Sequence, residues 1–86
     1  DRIQVSSQAL DQIDENFPLI MANLTALDLT QLARPMAARL AAGGELVASG
    51  LMQGQDQGVR HALEDAGLGL VERISQGEWC SLVMAR

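Results

Sequence analysis

The chain has 86 residues, 48% of them hydrophobic and 20% charged, so it makes at most one small domain and has the composition of a folding chain, not a disordered one. Six arginines and no lysine stand against eleven Asp and Glu, for a formal charge of −5; this excludes the cationic surface that nucleic-acid backbones require. Phe17 and Trp79 are the only aromatic residues of the Phe, Trp and Tyr classes, too few for a platform on which bases stack.

Ile3, Gln4 and Val5 predict a short extended segment, and the polar stretch through Asp11, Asp14, Glu15 and Asn16 predicts a loop. Residues 17–22 form an apolar run of strand length that suits burial on both faces, with Pro18 tolerated only near the strand start. Beyond Asn23 the period changes to that of a helix, with Leu29, Leu32, Ala33, Met36, Ala37 and Leu40 on one face. Thr25 or Asp28 can cap its start, Asp28 with Gln31 resembling a capping box, and Pro35 predicts a kink or a break. Gly43-Gly44 is expected to end it.

Residues 45–51 predict a second buried strand, 55–66 a second helix closed by Gly67, and 68–74 a third strand. After a turn over residues 75–78, residues 79–85 complete an antiparallel hairpin. Alternating strands and helices predict an α/β fold: a partial doubly wound, Rossmann-like sheet, mostly parallel, with a C-terminal antiparallel hairpin.

Cys80 is the only cysteine, which excludes an intrachain disulfide and a thiolate zinc cluster. His61 is the only histidine, so no His-x-x-x-His metal pair can form, and no metal is expected. No run approaches the length of a membrane span and the opening DRIQVSSQ has no signal-peptide pattern; with the lone thiol, the expected location is cytoplasmic.

Four short motifs, in order and at matching spacing, carry a resemblance over residues 17–86. They are Ala22-Asn23-Leu24-Thr25-Ala26, Leu32-Ala33-Arg34-Pro35, the stretch from Gly43-Gly44 to Ser49-Gly50-Leu51, and Ala66-Gly67-Leu68 followed by Gly77-Glu78-Trp79-Cys80-Ser81-Leu82. They are similar to A-N-I/L-x-A, to the helix after it, to P-G-G-x-L-x-x-S-G-I/L, and to A-G-F with E-W-x-x-L of the ribosomal protein L11 methyltransferase family. That family belongs to the class I S-adenosylmethionine-dependent methyltransferases. Pro18 stands where the family usually has Asp, and Ala41-Ala42 replaces Lys-Pro.

The resemblance implies that residues 1–86 are the C-terminal half of a class I methyltransferase domain, with the glycine-rich cofactor turn upstream. The parent would use S-adenosylmethionine to methylate amines of a ribosomal protein, and this piece alone would neither bind the cofactor nor act. Asn23 is the implied catalytic and cofactor-binding residue, at a strand end where open α/β sheets place ligands; the plain alternative is an Asn that only stops the strand. Leu24 and Thr25 are the implied substrate-binding residues, although Thr25 could serve only as the cap. Ser7, in the Ser6-Ser7-Gln8 turn, is the implied cofactor contact on the adenine side, or an ordinary polar turn. Ser49-Gly50 permits a tight turn, or the close approach of a ligand.

If the strand over residues 17–22 lacks its upstream neighbour, its open edge predicts homodimerisation or pairing with another chain. A non-catalytic α/β module binding a partner through that edge is the alternative function, and a methyltransferase acting on a small molecule a third.

Overall fold

The computed structural model describes residues 2–5 and 16–86. Five strands form one sheet in the order β1-β2-β3-β5-β4: β1 (Arg2–Val5), β2 (Phe17–Ala22), β3 (Leu40–Met52), β4 (Gly69–Gln76) and β5 (Trp79–Ala85). The helices are α1 (Ala26–Gln31), α2 (Ala33–Ala38) and α3 (Asp56–Asp65). β1 pairs with β2 and β2 with β3 in parallel, whereas β5 is antiparallel to both β3 and β4. The expected hairpin is there, yet the sheet is evenly mixed and not mostly parallel, because β5 folds back between β3 and β4.

The open-edge expectation for β2 is overturned. Leu19, Ile20, Met21 and Ala22 pair with residues of β1 on one side and of β3 on the other. The β2 edge therefore offers no partner site, and strand pairing gives no argument for a missing neighbour. Nor is β2 buried on both faces: Ile20 and Ala22 are buried, while Leu19 and Met21 are half-buried. Pro18 sits where the β2–β3 register shifts between Phe17 and Leu19, so its missing N–H interrupts no regular ladder.

The helical segment breaks at Leu32 (φ −97°, ψ 5°), upstream of Pro35. Proline at 35 cannot donate to the carbonyl four residues back and clashes with it, so α2 restarts with Pro35 in its first turn, where no such bond is needed. Thr25, not Asp28, caps α1, its hydroxyl oxygen accepting from Asp28 N–H at 3.1 Å. The second half ends at Arg39, earlier than the glycine pair predicted. Leu40 pairs with Phe17, and Phe17 N–H donates to the Arg39 carbonyl at 2.8 Å, so sheet pairing claims residues that helical periodicity had assigned to α2.

The end of α3 follows the sequence closely. Gly67 (φ +100°) donates to the Glu64 carbonyl and Leu68 to the Leu63 carbonyl, the double bond of a Schellman cap, with Leu68 buried beside it. The β4–β5 turn is Gly77-Glu78, with positive φ at the first position only, as in a type II′ hairpin.

One core joins helices and sheet. Leu29, Ala33, Met36, Ala37, Val59 and Leu63 meet Ile20, Ala22, Leu46, Ala48, Leu51, Cys80, Leu82 and Met84. On β2, β3 and β5 these residues alternate with half-buried ones, so the helices cover a single face of the sheet. Full burial of a Leu such as Leu46 or Leu82 contributes about 1.5–3 kcal/mol. Met52 (48% exposed) and Trp79 (54%) face each other across β3 and β5 outside this core.

Candidate functional site

Because β2 and β3 are parallel neighbours, their carboxyl ends lie side by side, and Ala22 pairs with Ala48 at that end. Asn23 follows immediately and is exposed; Leu24 is half-buried against the core, and Thr25 caps α1. The sequence reading thus places Asn23 correctly at a strand end. Thr25's oxygen accepts the cap hydrogen bond, and Leu24 is partly buried against the core. Ser7 lies outside the described residues.

The structure adds Gly50 to this group. On β3, Ser49 and Gly50 together oppose a single residue of β5, since Ala48 pairs with Leu82 and Leu51 with Cys80. This one-residue bulge carries Gly50 at φ +79°. A Cβ built on Gly50 would lie 2.8 Å from Asn23 Oδ1. The Asn23 amide oxygen therefore rests against the Gly50 backbone. Sequence alone offered a tight turn or the close approach of a ligand for this glycine; the structure puts it instead in a bulge within β3, beside the Asn23 amide.

A second polar cluster, missed in the sequence, lies just past the end of β3. Asp56 is buried at 5% exposure; Arg73 Nε donates to its Oδ2 at 2.7 Å and Gly54 N–H to its Oδ1 at 3.1 Å. Arg73 Nη2 also donates to Gln53 Oε1, and Gln53 Nε2 donates to Ser75 Oγ and, at 3.3 Å, to the Gly77 and Trp79 carbonyls. The cluster ties the β3–α3 turn to the β4–β5 hairpin. The Arg73 hydrogen bond holds the Asp56 carboxyl below the usual carboxylate value, against the opposing pull of burial. Burial, with the negative Asp56 nearby, pushes the Cys80 thiol up, so Cys80 is a protonated core residue and not a nucleophile. Both Asp56 carboxylate oxygens are taken up within the fold, Oδ1 by Gly54 and Oδ2 by Arg73.

His61 is exposed on α3, and among the described residues no group of three or more His, Cys, Asp or Glu gathers. No helix of the described residues is long and apolar enough to cross a membrane.

Fold and site together define an α/β unit whose exposed polar group stands at the carboxyl ends of adjacent parallel strands, the position at which enzymes of this architecture hold cofactor and substrate. Over residues 1–86 the chain matches the family described as "Ribosomal protein L11 methyltransferase (PrmA)", and it belongs to that family. The ribosomal protein L11 methyltransferase of Trichlorobacter lovleyi is 32% identical over 79 residues, which are 92% of this chain and 26% of that protein. That of Pelobacter propionicus is 34% identical over 86 residues, all of this chain and 28% of its own length.

The crystal structure of a ribosomal protein L11 methylase from Lactobacillus delbrueckii subsp. bulgaricus superposes with a TM-score of 0.84 at 27% identity, covering 90% of this chain and 40% of that one. A methyltransferase from Pyrococcus furiosus, at TM-score 0.66 and 11% identity, shares the fold alone. The chain spans about a quarter of the length of the curated relatives it matches.

Proposed function

We propose that this chain is the C-terminal half of the catalytic domain of an S-adenosylmethionine-dependent methyltransferase that acts on amines of a ribosomal protein in the cytoplasm. The observation that carries the reading is the exposed Asn23 amide, seated against Gly50 at the carboxyl ends of β2 and β3, in a chain of this family. The full sheet is doubly wound in this reading. Leu19, Val47 and Val83, half-buried here, meet helices contributed by the rest of the parent.

The donor set suits the transfer end of the cofactor more than its nucleoside end. An uncharged amide at a strand terminus can hydrogen-bond without placing a charge beside a sulfonium. When bound, S-adenosylmethionine supplies an electrophilic methyl group. Asn23 Oδ1 accepts a hydrogen bond from the deprotonated acceptor amine and fixes the direction of its lone pair, which is a contribution of positioning. Leu24 lines the mouth of the site, and Thr25 fixes the path of the chain by capping α1. Ser7 contacts the adenine side.

The test is transfer of labelled methyl groups by the full-length parent to a ribosomal protein acceptor. Asn23→Ala is expected to lower kcat by about a hundredfold with unchanged thermal stability, since the side chain is exposed. Full activity in the variant contradicts the role. Calorimetry supplies a second check: S-adenosylmethionine binds the parent and not the 86-residue chain. Preference for a small-molecule acceptor over the ribosomal protein overturns the substrate assignment.

A further inference from the structure

We propose that Gly50 is a positioning residue for methyl transfer: its missing side chain is the seat that sets the orientation of the Asn23 amide. This rests on the assignment of Asn23 above.

Five glycines have positive φ: Gly43, Gly50, Gly54, Gly67 and Gly77. For four of them a Cβ would project into open space, so backbone conformation alone explains the residue. Gly50 differs. Its Cβ would meet one atom within 4 Å, Asn23 Oδ1, at 2.8 Å, closer than real Cβ atoms come. Asn23 and Gly50 are 27 positions apart and come together through the parallel β2–β3 register and the bulge after Ala48.

The nature of the clash decides its consequence. The atom met is the end of a flexible, exposed side chain, so the fold can relieve it cheaply by rotating Asn23. A side chain at 50 thus leaves the core intact and turns the amide away from its seat. Stability and amide direction separate, which makes the proposal testable.

Gly43 is the natural control, since its φ of +75° nearly equals the +79° of Gly50 and nothing lies where its Cβ would project. In the full-length parent, Gly43→Ala and Gly50→Ala carry the same kind of backbone strain and should lower Tm by similar amounts. Only Gly50→Ala should lower kcat, by about tenfold or more, with KM for S-adenosylmethionine changed less than about threefold. In an Asn23→Ala background the Gly50→Ala loss of kcat should vanish, because there is no amide left to displace.

Gly50→Asn guards against a folding failure. Asparagine tolerates the left-handed backbone yet brings the same Cβ, so it should fold and still lose kcat. The proposal is overturned if Gly50→Asn keeps wild-type kcat, or if Gly50→Ala costs as much with Asn23 removed as with it present. The reading of Asn23 fails separately: there Asn23→Ala itself leaves kcat unchanged.

Discussion

The two faces of the sheet differ in how completely the described residues close them. Toward the helices, Ile20, Leu46, Leu82 and Met84 reach zero exposure, and α1, α2 and α3 all contribute to the same core. On the opposite face Leu19, Val47 and Val83 are half-buried, while Ile74 and Trp79 are 47% and 54% exposed. Both faces carry apolar residues, but only one has a described helical layer. The sequence is therefore patterned for two covered faces, as an interior parallel sheet requires, and the described residues supply one cover.

Substitutions should divide along the same line. Leu46→Ala or Leu82→Ala leaves a cavity in the closed core and is expected to cost about 2–5 kcal/mol in denaturant unfolding, in the 86-residue chain and the parent alike. Val47→Asp should cost less than about 1 kcal/mol in the 86-residue chain, where water reaches the site, and several-fold more in the parent. Equal costs in both proteins would show that no layer covers that face.

The Asp56–Arg73 pair sets a pH dependence on the closed side. The folded Asp56 pKa lies below its ordinary value of 3.8, so its contribution is fully present above that value and fades as pH falls through the lowered one. Asp56→Asn should flatten acid unfolding in that range. At neutral pH it should cost about 1–2 kcal/mol, the low end for bonds to charged groups because the Arg73 side chain is 37% exposed. A variant with an unaltered acid limb would show that the pair contributes nothing. The smallest effect is chemical: folded Cys80 should resist alkylation at pH 7 and react once denaturant opens the core.

Local signals carried the reading where structure is local. Gly67 announced the end of α3, and the turn before residue 79 announced the hairpin that β5 completes. The A-N-L-T-A motif placed Asn23. What escaped depends on pairing between distant segments. Gly43-Gly44 looked like a helix cap because nothing in the sequence said that Leu40 would pair with Phe17. The insertion of β5 between β3 and β4 left the sheet mixed, and β1 closed the β2 edge that had been expected to stand open. Asp56 and Arg73, 17 positions apart, carry no local signature of their bond. The Asn23–Gly50 contact needs the β2–β3 register, which sequence spacing does not give.

The most direct measurement is a crystal structure of the full-length parent with an S-adenosylmethionine analogue and an acceptor peptide. The acceptor nitrogen should lie within about 3.2 Å of Asn23 Oδ1, with that oxygen still seated on Gly50. An amine bound elsewhere, with the Asn23 side chain directed away from it, would contradict the account.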